Sequence, residues 1–337
     1  MNKKPTITDV AKLAKAGKTS VSRYLNGEHH LLSPDLKERI EKAIKHLNYK
    51  PSLLARSLKG GNTKLIGVLL ADIKNPYSIQ IISGIEKYCQ EYDFIPVVFN
   101  TDNNEKQEKK AFETLSKYQA EGVIINAVNA TRTIGEYNFP IVLIDRKLPN
   151  HSFDMSGLDN FHAVNMAIDH VVKNGFNNII FIIEPSEKVY TRIERKRAFL
   201  DLIKDYNNIR YHIEETSHTD NEKIKSILHN FNESSSITDK KVIISANGAL
   251  TINIIRELTH MNIIPGKDIG FLGIDDIEWA DIIANGITTI KQPTEKIGYS
   301  AMKLLHSRIN EPSLKHRAHT FHGELIIRGS TTLQRPQ

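Results

Sequence analysis

Polar and charged side chains follow several short apolar runs in the part of the chain after residue 64. They comprise acids, an amide, arginines and aromatic residues, namely Asp72, Tyr77, Asp145, Arg146, Arg192, Arg195, Asn247, Asp275, Asp276 and Trp279. When such groups converge on one cavity, they hydrogen-bond vicinal hydroxyls and stack on a ring. The set therefore predicts recognition of a sugar-like molecule. Each residue taken alone is explained as simply by a helix cap or a solvated strand end.

The apolar runs predict the strands that position these side chains. They occupy residues 65–71, 95–99, 122–125, 141–144, 179–183, 242–245 and 269–274. Amphipathic stretches such as 79–92 and 161–173 lie between them. An uninterrupted apolar run indicates a strand covered on both faces, so the fold class is α/β with doubly wound parallel sheets in two similar lobes. Ligands of such sheets bind beyond the carboxyl ends of the strands, where these polar residues stand.

Enzymes are one alternative, because doubly wound lobes also host hydrolases and dehydrogenases. The sequence has neither a Gly-x-Ser-x-Gly motif nor a dinucleotide fingerprint, and adjacent Asp275 and Asp276 project apart, unlike an opposed acid and base pair. His29 and His30 lack a third ligand at useful spacing for a metal. We therefore expect no enzyme activity, no cofactor and no metal.

Composition indicates an ordinary globular protein. Its 337 residues are 40% hydrophobic and 25% charged, which excludes fibrous and disordered classes and predicts two or three domains. No apolar run reaches membrane-spanning length, and the first residues do not resemble a secretory signal. A single cysteine, Cys89, suits a reducing compartment, so we expect a cytoplasmic protein.

The positive charge is concentrated at the amino-terminal end. Residues 1–60 carry 13 Lys and Arg against 5 Asp and Glu, whereas the remaining residues carry 32 against 34. This asymmetry predicts a head that binds a polyanion, although a merely solvated basic face would give the same counts.

The head has the pattern of a helix-turn-helix. A first helix is expected to begin near Thr8, and a second to begin around Gly17 and end at Asn26. Ser33-Pro34 predicts a cap and first turn for a third helix of about fourteen residues. The second helix would expose short polar and basic side chains suited to phosphates and base edges, namely Lys18, Thr19, Ser22 and Arg23. The Gly-Lys-Thr at residues 17–19 lacks the rest of a nucleotide-binding loop.

Three blocks of sequence resemble the lactose-repressor and purine-repressor family of bacterial transcription regulators. They are Thr-Ile-Thr-Asp-Val-Ala at 6–11, Thr-Ser-Val-Ser-Arg-Tyr-Leu-Asn at 19–26 and Asn-Tyr-Lys-Pro-Ser-Leu-Leu-Ala-Arg-Ser-Leu at 48–58. The resemblance spans nearly the whole chain. It implies a helix-turn-helix domain at 1–50, a hinge helix and linker at 51–63, and an effector-binding and dimerisation domain at 64–337.

The resemblance also implies how the large domain divides into lobes like those of periplasmic binding proteins. Lobe 1 would comprise about 64–160 and 291–320, and lobe 2 about 161–290 and 321–333. The chain would cross between the lobes near Asn160, Ile290 and Phe321.

The family's DNA contacts map onto the head. The positions that meet bases are Lys18, Thr19 and Arg23, with Ser20 on the same helix, and those at or near the DNA backbone are Thr6, Ser22, Asn26, His29 and Tyr49. In the hinge, Ala55 and Ser57 would lie near the DNA and Leu58 would be a minor-groove wedge. A plain core leucine is the alternative for Leu58.

The family's effector positions map onto the polar residues at the strand ends. They are Tyr77, Asp145, Arg195, Asn247, Asp275 and Gln292. We add Arg192 and Trp279 because they lie close to Arg195 and Asp275 in the sequence. Gly17, Ala198 and Gly248 depart from the family's usual residues. The positive charge of Arg146, Arg192 and Arg195 favours a sugar acid such as a gluconate or ketodeoxygluconate derivative.

The combined expectation is a homodimeric, allosteric repressor of carbohydrate metabolism genes. Its partners would be palindromic double-stranded operator DNA, a small sugar or sugar-acid effector and a second copy of the chain, with no membrane. Two alternatives stay open: a global regulator of the same family controlled by a partner protein, and a sugar-binding module without DNA function.

Overall fold

The computed structural model describes residues 5–50, 62–129, 134–148, 153–233 and 239–332. The chain forms two compact units, Met1–Thr63 and Lys64–Gln337. The roles predicted for Ala55, Ser57 and Leu58 lie outside the described residues. No helix in the described part of the chain is both long and apolar enough to span a membrane.

The first unit contains three helices, α1 (Ile7–Leu13), α2 (Lys18–Leu25) and α3 (Pro34–His46). Helix α1 begins one residue before the predicted start near Thr8, because Thr6 caps it and exchanges hydrogen bonds with Asp9 in a capping box. Gly17 precedes α2, and Ser33 caps α3, as predicted. The three helices pack around a small apolar core that includes Val10, Val21 and Ile40.

The first sheet of the second unit has six parallel strands, in the order β11-β5-β4-β3-β1-β2. They are β1 (Leu65–Leu70), β2 (Ile95–Asn100), β3 (Gly122–Ile125), β4 (Ile141–Ile144), β5 (Asp154–Leu158) and β11 (Ala318–Phe321). Its helices are α4 (Pro76–Glu91), α5 (Glu105–Lys117) and α10 (Thr294–Asn310). We call this sheet and its helices lobe 1.

The second sheet has the order β12-β10-β9-β8-β6-β7 and is parallel except for β12. Its strands are β6 (Asn178–Ile183), β7 (Arg210–Glu215), β8 (Lys241–Ser245), β9 (Gly270–Ile274), β10 (Thr288–Lys291) and β12 (Glu324–Ile326). Its helices are α6 (Asn160–Lys173), α7 (Tyr190–Leu202), α8 (Asn221–Glu233) and α9 (Gly248–His260). We call this lobe 2.

The order of strands means that the chain passes between the lobes more than once. It leaves lobe 1 after β5, returns after β10, and crosses again between β11 and β12. Two α/β lobes with parallel sheets were the predicted fold class, and the seven apolar runs all became strands. Strands β5, β7, β10, β11 and β12 had no such signal; β7, for example, is a partly exposed edge strand with the sequence Arg-Tyr-His-Ile-Glu-Glu.

Two contacts hold lobe 1 together across long sequence separations. A Cβ on Gly84 of α4 would collide with the Glu295 carbonyl of α10, so the two helices pack backbone against backbone. Asp154, at the start of β5, is 1% exposed and accepts hydrogen bonds from Arg308 Nε at 3.1 Å and Nη2 at 3.0 Å. Its other oxygen accepts the Arg317 backbone N–H at 2.7 Å.

Candidate functional site

A small cavity of about 80 Å³ lies in the second unit at the carboxyl ends of strands from both sheets. Lobe 1 contributes Ala71, Asp72, Asn75, Tyr77, Ser78, Asn126, Asp145 and Arg146. Lobe 2 and the crossover after β10 contribute Glu184, Val189, Thr191, Arg192, Arg195, Ala246, Asn247, Asp275 and Gln292. The lining is predominantly polar and charged, which suits a small hydrophilic molecule rather than an apolar one.

Asp145 and Asp275 occupy matching places in the two lobes, each directly after a strand and each with a positive φ, of 58° and 92°. Aspartate adopts such φ values more readily than most non-glycine residues do. Asp275 accepts the Gly248 backbone N–H at 2.8 Å and the amide of Gln292. Burial raises the pKa of both aspartates above its usual value.

Three polar atoms at this cavity are buried and make no hydrogen bond of good geometry among the described residues, although the Tyr77 hydroxyl interacts with the nearby Asp145 carboxylate. They are the Tyr77 hydroxyl, Asp145 Oδ1 and Gln292 Oε1. Burial and the nearby charge of Asp145 raise the pKa of Tyr77 well above its usual value, so the hydroxyl remains a neutral donor. A buried polar group without a partner is costly. These atoms are therefore prepared to bond a polar ligand or water.

The three arginines of the cavity have different partners. Arg195 is 7% exposed and donates from Nε to Asn160 Oδ1 at 2.8 Å and from Nη1 to the Ala246 carbonyl. Arg146 donates to the Ala127 carbonyl at 2.8 Å, and burial together with the nearby Arg192 lowers its pKa to about 10. Of these three arginines, only Arg192 forms an ion pair with a described residue, Glu184, at 2.7 Å.

Seven of the eight predicted effector residues line the cavity, since strand ends and helix starts bring them together. Tyr77 lies in the first turn of α4, Arg192 and Arg195 on α7, and Asn247 caps α9 by accepting the Leu250 N–H at 2.9 Å. Trp279 is the exception: it lies on a short 3-10 helix, Glu278–Asp281, and is not part of the lining. The neighbouring Asp276 also turns away and pairs with Arg328 at 2.8 Å.

Glu184 was missed by the sequence reasoning, although a signal was present. It directly follows β6, just as Asp145 follows β4, and its polar side chain after an apolar strand was the pattern used for the other residues. It lines the cavity and accepts hydrogen bonds from Arg192, Asn247 and His218.

The first unit presents the predicted DNA-contacting side chains on and beside α2. Lys18, Thr19 and Arg23 are exposed, whereas Val21 on the opposite face is fully buried. Ser20 and Ser22 are half-buried on the same helix, Asn26 ends it, and His29 stacks edge-on against Tyr24 in the turn that follows. Thr6 is exposed at the start of α1, but its hydroxyl is engaged with Asp9.

Tyr49 follows α3 and is half-buried against the head core. Arg39 of α3 donates to the carbonyls of Ala14 and Lys15, which tie the turn before α2 to the third helix. Helix α2 therefore packs its buried face on the core of the head and exposes a polar, basic face. This is the arrangement of a recognition helix.

Comparison with known proteins agrees with both units. Residues 6–52 match the model of the bacterial regulatory proteins, lacI family, and residues 168–331 that of a periplasmic binding protein-like domain. The HTH-type transcriptional regulator PtxS of Pseudomonas aeruginosa is 36% identical over 97% of this chain and 95% of its own length. This chain belongs to the LacI family.

The wider comparisons are consistent with this membership. The HTH-type transcriptional regulator KdgR of Bacillus subtilis is 35% identical over 90% of this chain and 91% of its own. The structure of the Lac repressor dimer bound to operator and the anti-inducer ONPF matches with a TM-score of 0.82 at 22% identity, over 98% of this chain and all of that one. This LacI-family chain is therefore a DNA-binding transcription regulator and not an enzyme, as predicted.

Proposed function

We propose that this LacI-family regulator is a homodimeric cytoplasmic repressor of carbohydrate metabolism genes, and that a small sugar acid bound in the cavity sets its affinity for palindromic operator DNA. The observation that carries the choice of a sugar acid is the state of Arg146 and Arg195. Both side chains lie in the cavity wall and hydrogen-bond only neutral oxygens. Guanidinium groups bind carboxylates strongly and with defined geometry, so they supply a site for one ligand carboxylate.

The remaining polar atoms suit the hydroxyl groups of the same ligand. Asp145 Oδ1 and Gln292 Oε1 are buried acceptors, and the Tyr77 hydroxyl is a buried donor or acceptor. Gly248 and Gln292 each donate to one oxygen of Asp275 and fix its carboxylate in the cavity wall. Carboxylate oxygens that accept hydroxyl protons in pairs discriminate a sugar from a simple carboxylic acid.

The size of the cavity argues against a large ligand such as an oligosaccharide. Typical drug-sized ligands occupy pockets of roughly 300 to 1,000 Å³, whereas this one encloses about 80 Å³. Gluconate and ketodeoxygluconate derivatives are our preferred candidates because each combines one carboxylate with a short chain of hydroxyl groups.

Coupling to DNA requires that the ligand bind two conformations of the protein unequally. The cavity draws residues from both lobes, so a ligand that bridges them changes their relative position. In the proposed dimer, this movement changes the spacing of the paired hinges, where Leu58 would act as the minor-groove wedge and Ala55 and Ser57 would lie near the DNA. Lys18, Thr19 and Arg23 would contact bases, while Thr6, Ser22, Asn26, His29 and Tyr49 would contact or adjoin the DNA backbone.

The effector is tested with the full-length protein in a thermal-shift screen of D-gluconate, ketodeoxygluconate, 2-ketogluconate and neutral D-glucose. A ligand at a hundredfold excess over its dissociation constant stabilises by about 2.7 kcal/mol. We expect stabilisation by at least one acid and none by glucose. The reverse order, or no response to any acid, contradicts a sugar-acid effector.

DNA recognition is tested by selecting preferred sequences for the parent and for variants. Lys18→Ala and Thr19→Ala should change the preferred bases, because these side chains face outward on α2. Lys50→Ala, an exposed basic residue after α3, is the matched control and should weaken all sequences alike. Affinity of the parent should fall steeply with added salt as counterions are released. Unchanged base preferences would remove Lys18 and Thr19 from the reading surface.

A further inference from the structure

Glu184 is the most heavily bonded side chain of the cavity. It is 7% exposed and follows β6. Its Oε2 accepts from Arg192 Nη2 at 2.7 Å and from Asn247 Nδ2 at 2.8 Å, and its Oε1 is 2.8 Å from His218 Nδ1. Two of the donors that the sequence placed in the effector site, Arg192 and Asn247, are therefore bound to a carboxylate of the protein itself.

The cavity consequently has two unlike regions of positive charge. Arg192 lies against Glu184, and this pair is close to neutral. Arg146 and Arg195 hydrogen-bond only neutral oxygens, although the nearby carboxylates of Asp145 and Asp275 offset part of their charge. A ligand carboxylate therefore gains from the second region, whereas an anionic group near the first meets the negative charge of Glu184.

His218 keeps Glu184 ionised. Burial alone would raise the pKa of Glu184, but the hydrogen bond from His218 and the charge of Arg192 hold it below its usual value. The same hydrogen bond raises the pKa of His218. A carboxylate fixed by three donors cannot turn away from the cavity without breaking its bonds to Arg192 and Asn247.

We propose that Glu184 determines the charge of the ligand: by neutralising Arg192 and facing the cavity, it admits a sugar with one carboxylate and excludes one with a second anionic group, whether a dicarboxylic or a phosphorylated sugar acid. This inference rests on the proposed sugar-acid effector. The physical reason is that like charges in a buried, weakly screened site repel strongly, while the oxygens of Glu184 accept hydroxyl protons readily.

The test compares D-gluconate, which has one carboxylate, with D-glucarate, which has two, by isothermal titration calorimetry on the full-length protein. Glu184→Gln keeps the shape of the side chain and removes its charge. The matched control is Glu215→Gln, because Glu215 also pairs with a basic residue, Lys196 at 2.7 Å, but does not line the cavity. Melting curves establish that each variant is folded.

We expect the parent and Glu215→Gln to bind gluconate and to discriminate against glucarate. Glu184→Gln should bind glucarate at least about tenfold more tightly than the parent does, a change of about 1.4 kcal/mol, with a smaller change for gluconate. If the parent binds gluconate and Glu184→Gln leaves the glucarate affinity unchanged, the role of Glu184 is overturned while the sugar-acid effector stands.

The opposite combination is equally informative. If the parent binds neither acid but Glu184→Gln gains glucarate binding, exclusion by Glu184 is supported and a gluconate-type effector is not. If neither protein binds either acid, charge selection by Glu184 is overturned, and the sugar-acid effector then depends on the other acids of the thermal-shift screen. Parent protein that binds glucarate as tightly as gluconate also overturns charge selection by Glu184.

Discussion

Replacing Arg195 with alanine isolates the proposed effector function from the DNA-binding function. Arg195 is 7% exposed on α7 in the second unit and lines the cavity. Its removal leaves Asn160 Oδ1 and the Ala246 carbonyl without their present donors. The space vacated is polar, so water can occupy it and bond these oxygens. We therefore expect the variant to fold with a reduced melting temperature and with operator affinity close to that of the parent.

The loss of effector affinity follows from the chemistry of the guanidinium group. A hydrogen bond from a charged donor contributes roughly 1.5 to 3 kcal/mol, which corresponds to a loss of roughly tenfold to 150-fold in affinity. Arg195→Lys should resemble the alanine variant more than the parent, because a lysine ammonium lacks the planar fork that reaches Asn160, Ala246 and a ligand together.

The assay is calorimetric titration of the parent and variants with the acid that stabilises the parent most in the thermal-shift screen. Lys196→Ala is the matched control, since Lys196 is adjacent on α7 but pairs with Glu215 outside the cavity. Effector-dependent operator binding is measured on the same proteins. Equal effector affinities in the parent, the Arg195 variants and the control would place the site elsewhere and refute the convergent set as a whole.

Three further variants test the framework of the second unit. Asp154→Asn should lower the free energy of unfolding by about 3 to 5 kcal/mol in urea denaturation, because it leaves the buried charge of Arg308 unpaired; an unchanged midpoint would contradict this. Gly84→Ala should lower the free energy of unfolding by about 1 to 3 kcal/mol, because its Cβ would collide with the Glu295 carbonyl. An unchanged melting temperature would mean that α4 and α10 can move apart at no cost. The raised pKa of His218 means that its bond to Glu184 stabilises the fold below the ordinary histidine pKa of 6.5 and loses this effect as pH rises through the folded value. His218→Gln should therefore lower the melting temperature more at about pH 6 than at about pH 9, and an equal loss at both would exclude this linkage.

The head could be read from sequence because its signals are local. Gly17 before α2 and Ser33-Pro34 at the start of α3 act within one turn of the residues they cap. The start of α1 was predicted one residue late because Thr6 and Thr8 are both capping residues, and only the bonds between Thr6 and Asp9 choose between them.

The sequence also determined the α/β class and most of the cavity lining. Apolar runs long enough to be buried on both faces predict parallel strands, and parallel strands bring their carboxyl ends to one edge. That argument alone collects Asp145, Asn247 and Asp275, which are far apart in the chain.

Only the tertiary structure decided the pairing of these groups. Trp279 is only four residues after Asp275, yet it lies on a short 3-10 helix and is not part of the cavity lining. No local sequence pattern predicts this placement. Glu184 acquires its role from Arg192, Asn247 and His218, which reach it from different elements of lobe 2. A residue type and its place after a strand predict that a side chain is available for binding. Which partner it meets depends on the packing of segments distant in sequence, and here that packing pairs Arg192 with Glu184 but gives Arg146 and Arg195 only neutral hydrogen-bond partners.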